Sequence, residues 1–398
     1  MKRKEIVFLS GARTPIGSYG KTLKDFTATE LGTVAAKGAL ARSGVSPEDI
    51  DHVVFGNVMQ TSEDAAYLAR HVGLNAGVPI ATPALTVNRL CASGFQAVIE
   101  GAYQLLLGEA DFVLVGGAES MSRAPHAMYG ARWGFNLGEG KLVDTLAAGL
   151  TDARCGCGMG ITAENLGRKY GVTREESDHF ACQSQQRAKE AAASGRLAEE
   201  IVPVIVKGRK GEETPFQVDE HPRPDVTPEK LAALAPVFDE EGIVTPGNSS
   251  GINDAGAALV MTTAEAAKER GLSPMGRLIS WGVSGVEPEI MGIGPVPASG
   301  IALDRAGLKL DDMEIIEVNE AFAAQYVAVE KEMGLDRSIV NVNGGAIALG
   351  HPVGATGARL TVTLLKELSL TGKKLGLATA CVGGGQGVAL VLGAAESA

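Results

Sequence analysis

Four side chains capable of chemistry stand in small-residue or glycine-rich surroundings. They are Cys91 in Asn88-Arg-Leu-Cys-Ala-Ser-Gly94, Asn319 in Val318-Asn-Glu-Ala-Phe322, His351 in Gly350-His-Pro-Val-Gly354, and Cys381 in Ala378-Thr-Ala-Cys-Val-Gly-Gly-Gly-Gln-Gly387. A cysteine in such a place is either a small buried hydrophobe or a nucleophile. Around Cys91, Leu85 to Val87 reads as a strand, and Phe95 to Leu107 has apolar residues at helical spacing that stop at Gly108. That pattern puts Cys91 at or near a helix N-terminus, where unpaired N–H groups favour thiolate over thiol. His351, fixed between Pro352 and flanking glycines, has a ring placed by a backbone with few conformational options. The other histidines lack such a setting: His52, His71, His126 and His179 read as structural or surface groups, and His221, in a proline-flanked loop, is left open. After Cys381 the glycines lead into Val388 to Leu392, a strand and not a helix, so a Rossmann or phosphate loop is rejected. Those glycines are better suited to presenting backbone N–H groups to a ligand oxygen.

These residues have to be positioned by a chain of 398 residues, too long for one ordinary core. Its composition is that of a globular protein, and its 52 glycines, against a usual ~7%, follow no collagen repeat and serve turns and close backbone approaches. A formal net charge of −11 argues against a nucleic-acid surface, and no basic run exceeds Lys2-Arg-Lys4. No stretch approaches ~18 uninterrupted apolar residues, so no membrane span is expected. The short apolar run from Ile6 reads as a first strand and not as a signal-peptide core. Five cysteines, at 91, 155, 157, 182 and 381, suggest free thiols in a reducing, cytoplasmic setting.

The chain is internally duplicated. Ala39 to Ile50 matches Ala302 to Met313 at an offset of 263 positions, and the same offset carries Ala92-Ser-Gly94 onto Ala355-Thr-Gly357 and Phe112 to Val115 onto Leu375 to Ala378. Each half runs helix, charged turn, strand, glycine-rich start, helix, strand, an alternation that predicts α/β layers with sites at the strand ends. In the first half Leu31 to Ala41 is the helix, with Thr27 and Glu30 as its capping box, and Val53 to Phe55 is the strand. An insertion from about 121 to 250 has no counterpart. It holds an exposed aromatic segment (122 to 133), a polar helix from Arg174 to Ser194, a strand from Ile201 to Val206 ending in a hairpin turn, and irregular loops near His221 and Thr245.

Taken together, these motifs identify a family. From Ser10-Gly-Ala-Arg-Thr-Pro-Ile-Gly17 to the Cys381 loop, the chain resembles the thiolases, acetyl-CoA acetyltransferases in particular. Related condensing enzymes of fatty-acid synthesis share the duplicated fold and one nucleophilic cysteine but lack a counterpart of Cys381. The resemblance implies a five-layered αβαβα fold of duplicated α/β domains: residues 1–120 plus 251–273, an inserted substrate-covering loop domain at 121–250, and a second half at 274–398. It implies reversible joining of two acetyl-CoA into acetoacetyl-CoA and CoA. Cys91 would carry the acyl group, His351 would take its proton, and Cys381 would act as acid or base at the α-carbon. Asn319 would fix a water at one oxyanion site, and the N–H groups of Cys91 and Gly383 would form a second. Ser250, Arg223, Phe238, Leu150, Met159, Met291 and Phe322 would line the coenzyme A path. Coenzyme A and acetyl-CoA enter as substrates, with no permanently bound cofactor and no metal, and the resemblance implies a homodimer or homotetramer.

One departure bears on specificity. Many acetoacetyl-CoA-type thiolases carry a histidine just before the methionine of Met-Gly-x-Thr-Ala-Glu, and here Gly158 precedes Met159. A broad-range 3-ketoacyl-CoA thiolase is therefore the second reading. Two more remain: a thiolase-fold protein that only binds acyl-CoA or lipid, and a redox or metal module on Cys155 and Cys157.

Overall fold

The computed structural model describes residues 4–138, 140–208 and 210–395. In the first half, β1 (Ile6–Arg13) is followed by α1 (Ala28–Ser43), β2 (His52–Gly56), α2 (Leu68–Asn75), β3 (Ala84–Val87), α3 (Ser93–Leu107) and β4 (Phe112–Ser120). The predicted capping box forms at the start of α1: Glu30 N–H donates to Thr27 Oγ1 at 3.1 Å, and Thr27 N–H donates to Glu30 Oε2 at 2.8 Å. Helix α3 stops at Gly108, whose φ of 77° is left-handed, as the sequence predicts.

The insertion contributes α4 (Met159–Tyr170), α5 (Arg174–Ala193) and a hairpin of β5 (Val204–Lys207) and β6 (Glu213–Phe216). Helix α4 was not legible as a helix in the sequence, because its N-cap is Gly158 with no side chain to announce it. The chain then returns to the first half as β7 (Asn253–Thr263). The second half comprises β8 (Gly276–Gly285), α6 (Pro295–Ala306), β9 (Ile315–Val318), α7 (Ala323–Met333), α8 (Val353–Thr371), β10 (Leu375–Val382) and β11 (Gln386–Ala394).

One sheet joins both halves in the order β9-β10-β11-β8-β1-β7-β4-β2-β3. The two sub-sheets meet at a short antiparallel contact, Ile6 with Leu278, Val7 with Arg277 and Phe8 with Gly276. The duplication is structural as well: Phe112 and Leu375, 263 positions apart, each begin a strand that runs parallel to its neighbour, β4 beside β2 and β10 beside β9. Helices α3 and α8 lie between the sub-sheets and fill the central core with Phe95, Val98, Leu360 and Leu364 against Val113, Leu259, Ala380 and Leu390. Helices α1 and α2 cover the outer face of the first sub-sheet, and α6 and α7 that of the second, which gives five layers.

The two central helices cross where their backbones touch. A Cβ on Gly94 would lie 2.3 Å from Ala358 N, and one on Gly357 would lie 2.2 Å from Phe95 N. These glycines occupy equivalent places in the repeat, so the duplication is what lets α3 and α8, and the loops before them, approach so closely.

The insertion is clamped by buried charge. Arg13 on β1 is almost fully buried and forms two parallel bonds to Asp219, at 2.7 and 2.9 Å, plus one to Glu200 at 2.7 Å. The two carboxylates raise the guanidinium's affinity for its proton above the ordinary arginine value. Removing one side of such a buried pair typically costs about 3–5 kcal/mol. The insertion also packs Phe180 of α5 on Tyr326 of α7, ring centres 3.7 Å apart and planes 9° from parallel. Both contacts hold the insertion over the ends of the strands that bear the reactive residues.

Candidate active site

Cys91 sits in a 3₁₀ turn, Leu90–Ala92, immediately before α3. Leu90 is held at φ 46°, a left-handed conformation costly for a branched side chain, by Asn88 Oδ1 accepting from Leu90 N–H at 2.9 Å. Arg89 ties this turn to the opposite half through Gln386 Oε1, which accepts from Nη1 at 2.8 Å. The Cys381 strand ends in a hairpin whose Gly384 and Gly385 have φ of 77° and 83°, values that favour glycine. The turn brings Gly383 against Leu90, and the Gly383 N–H points at the Cys91 sulfur together with the N–H of Cys91 itself.

One expectation fails here. The N-terminus of α3 was expected to hold Cys91 as thiolate, but burial outweighs those two N–H groups, and the nearby Glu119 charge adds to it, so the thiol's pKa lies above the ordinary value. The helix begins two residues later, at Ser93, which weakens its field at the sulfur. At rest Cys91 is a thiol and needs a base to become a nucleophile.

His351 lines the same cavity as Cys91. It is buried, and its backbone N–H donates to Asn253 Oδ1 at 3.0 Å. Its Nδ1 lies 2.7 Å from Thr356 Oγ1 and its Nε2 lies 3.4 Å from Asn319 Nδ2. Burial, helped by the Arg359 charge, lowers its pKa to about 3, so the ring is neutral at pH 7. Asn319 follows β9, where its N–H donates to Thr379 O at 2.9 Å, and its Oδ1 is buried with no protein partner. Cys381 is fully buried, and burial together with the neighbouring Cys91 raises its pKa strongly, so it holds its proton. The candidate site therefore holds two protonated thiols, a neutral imidazole and an amide. That set can form and break a thioester at one sulfur and pass a proton to or from carbon with the other.

Two cavities meet at Cys91. One, of about 470 Å³, is lined by Cys91, His351 and six of the seven residues expected along the coenzyme path: Leu150, Met159, Phe238, Ser250, Met291 and Phe322. Arg223, the seventh, lies outside it with its side chain exposed and its N–H donating to Gln185 Oε1 at 2.8 Å. His221, left open by the sequence, packs against Gly251 next to Ser250, and burial lowers its pKa to about 4. The second cavity, about 250 Å³, extends from Cys91 past Val58, Met59, Gly149, Leu150 and Ala153 to Gly383. A larger cleft of about 730 Å³ between α5 and the Pro228–Ala232 helix contains none of the expected residues. Cys155 and Cys157 lie on the hairpin of Thr151–Asp152 with Cys157–Gly158, and among the described residues no group of three or more potential metal ligands gathers.

Three buried groups that organise the site escaped the sequence reading. Glu119 accepts from the N–H groups of Val58, Met59 and Gly354 and from Asn57 Nδ2, at 2.9 to 3.1 Å, and so links a wall of the smaller cavity to the start of α8. Glu320 accepts from Ser184 Oγ, Asn341 Nδ2 and Ile347 N–H, and ties the Asn319 loop to the loop before His351. Thr356 touches the His351 ring. The available signal was a lone carboxylate in a run of small residues, as in Gly116-Gly-Ala-Glu119, and for Thr356 its place in the repeat.

Comparison with known proteins agrees with this architecture. The family description "Thiolase, N-terminal domain" matches residues 6–265 and "Thiolase, C-terminal domain" matches 272–394. The chain belongs to the thiolase family and is an acyltransferase of that family. It is 52% identical to the mitochondrial 3-ketoacyl-CoA thiolase of Bos taurus over 97% of this chain and 98% of that one. It is 48% identical to an acetyl-CoA acetyltransferase of Syntrophomonas wolfei over 98% and 99%. A crystal structure of human mitochondrial 3-ketoacyl-CoA thiolase in complex with CoA superposes with a TM-score of 0.96 at 49% identity, covering 99% and 98% of the two chains.

Proposed function

We propose that this thiolase cleaves 3-ketoacyl-CoA esters over a range of chain lengths, transferring the acyl group to CoA. The observation that carries the reading is the second, apolar cavity beside Cys91, which provides room for an acyl tail beyond two carbons. Nothing lies within 4 Å of where a Cβ on Gly158 would sit, so the position where the resemblance expects a histidine is open. The bovine relative, at 52% identity, is named for this activity. Acetyl transfer, the first reading of the sequence, becomes the shortest case of the same reaction; the stretch Met291-Gly-Ile-Gly-Pro-Val-Pro297, which resembles the short-chain enzymes, still favours it.

In the thiolytic direction, Cys91 attacks the 3-keto carbon while His351 Nε2 takes its proton. The thiol's raised pKa and the imidazole's low one mean that this proton moves as the carbon–sulfur bond forms, not before it. The N–H groups of Cys91 and Gly383 stabilise the resulting oxyanion. The C2–C3 bond then breaks, its electron pair leaving as the enolate of acetyl-CoA. A water fixed by Asn319, together with His351, holds the enolate oxygen, and Cys381 delivers a proton to C2. The proton His351 took from Cys91 returns to Cys381; His351 then takes the proton of the CoA thiol as its sulfur attacks the acyl-Cys91 thioester, and passes it to the departing Cys91 sulfur as acyl-CoA is released. In this reading Ser250, Phe238, Leu150, Met159, Met291 and Phe322 hold the pantetheine, Arg223 meets the charged nucleotide from outside the cavity, and coenzyme A is a substrate and not a resident cofactor.

Thiolysis rates against 3-ketoacyl-CoA of rising chain length test the assignment. The expected profile is flat or rising from four to eight carbons; a sharp fall beyond four carbons would return the assignment to acetoacetyl-CoA alone.

The exposed Met128, Tyr129, Trp133, Phe135, Leu137 and Leu142 form an apolar surface suited to contact between copies. The assembly we propose is a homodimer or homotetramer using this segment. Light scattering should give two or four chain masses, and a monomer at micromolar concentration would contradict it. Five free thiols fit the cytoplasmic location we propose, which fractionation of the source cells would check against the mitochondrial location in the bovine relative's name.

A further inference from the structure

The side chain that decides which nitrogen of His351 carries the proton lies five residues further along the chain. Thr356 Oγ1 is 2.7 Å from His351 Nδ1 and 3.0 Å from Pro352 O, one helical turn back. Thr356 is fully buried and His351 nearly so, and Pro352 O also accepts from the N–H groups of Ala355 and Thr356 at 2.9 and 3.0 Å. A hydroxyl has one proton. If Thr356 gives it to Pro352 O, the oxygen can only accept from the ring, and Nδ1 must carry a hydrogen. Nε2 is then unprotonated, with a lone pair toward Asn319 Nδ2 at 3.4 Å. The opposite tautomer sets an N–H of the ring against the Asn319 NH₂ group, donor facing donor.

The repeat supports the same conclusion from the other half of the chain. The position equivalent to Thr356, at the offset of 263, is Ser93. Its hydroxyl donates to Leu90 O at 2.7 Å and accepts from Arg89 N–H at 2.9 Å. Both hydroxyls stand at the start of a central helix and donate back to a carbonyl three or four residues earlier. Both also contact a group in the loop before the helix, and Ser93 accepts from its partner. In the first half that group is a backbone amide of the Cys91 turn, and in the second it is the imidazole. One local device thus fixes the Cys91 turn in one half and the His351 ring in the other.

We infer that Thr356 is the positioning residue that holds His351 as the Nδ1–H tautomer, leaving Nε2 unprotonated to take up the Cys91 proton. The inference rests on the reading of His351 as that base. It also accounts for a hydroxyl in this place: a side chain that could only donate would leave Nδ1–H without an acceptor.

The test compares the full-length protein with Thr356→Val, which keeps the shape and loses the hydroxyl, and Thr356→Ser, which keeps the hydroxyl. ¹⁵N NMR of histidine-labelled protein reads the tautomer directly, and thiolysis of acetoacetyl-CoA reads the rate. Wild type and Thr356→Ser are expected to show Nδ1 protonated. Thr356→Val is expected to show a mixed or reversed tautomer and a kcat about 10- to 100-fold lower with little change in KM, the loss typical of leaving one buried polar group unpaired. Thr356→Ser is expected to recover most of that rate. An unchanged tautomer in Thr356→Val overturns the inference, as does a Thr356→Ser variant as impaired as Thr356→Val, which would make the methyl packing the relevant contact. His351→Ala separates the two levels: if it leaves the rate intact, the reading of His351 as base fails, while the NMR comparison still decides what Thr356 does.

Discussion

Replacing Cys91 with alanine is expected to lower kcat for thiolysis by a factor on the order of 10⁴ to 10⁶ while the protein remains folded and still binds coenzyme A. The magnitude is that of removing a nucleophile whose partners can do nothing without it. Cys91 contributes a small side chain at the junction of the two cavities, outside the central core, so its loss leaves that core intact. The assay is the loss of 3-ketoacyl thioester absorbance on adding CoA. In wild type, a haloacetamide should label the peptide containing Cys91, and labelling should be slow at neutral pH because burial holds the sulfur as thiol. A Cys91→Ala variant within tenfold of wild type would remove the nucleophile from the proposed mechanism.

Cys381→Ala should separate the two halves of the reaction. Cys381 is fully buried, keeps its proton, and sits near Cys91 and beside Met291 and Ala321. A thiol in that state is prepared to give a proton to the departing enolate, and general acid catalysis of this kind typically contributes about 10²- to 10⁴-fold. Carbon–carbon cleavage is expected to slow by that factor. Exchange of labelled CoA into an acyl-CoA needs only acylation and deacylation of Cys91, makes no carbanion, and is expected to persist. If exchange and cleavage fall together, Cys381 supports the structure of the nucleophile's site instead of the proton transfer. The raised pKa also gives the two directions different demands: thiolysis uses the proton Cys381 already holds, whereas condensation must first find it a thiolate.

The sequence by itself determined which residues could react and roughly where the chain would bend around them. Cys91, Asn319, His351 and Cys381 each sit at the end of an element in small-residue surroundings, and those local signals survive without a structure because turns and element starts depend on a few neighbouring residues. The constant offset of the repeat likewise foretold two matching layers, and the start of β2 at His52 and of β9 at Ile315 keeps it. Strands and helices with strong periodicity, such as Ile315–Val318 and Arg174–Ala193, were legible for the same reason.

Only the tertiary structure decided the state of those residues. A helix N-terminus near Cys91 argued for thiolate, and burial reversed the sign, because desolvation comes from atoms far away in sequence. The ring of His351 is neutral for the same reason, and its tautomer depends on where the hydroxyl of Thr356 points. Arg13, in the first conspicuous motif, bonds to Glu200 and Asp219 across some two hundred residues, a partnership no spacing announces. The space beside Cys91, which turned the reading from acetyl transfer toward longer acyl chains, is bounded by Val58, Gly149, Ala153 and Gly383. Those residues come from both halves and the insertion, and a cavity is a property of how they pack, not of any one stretch of chain.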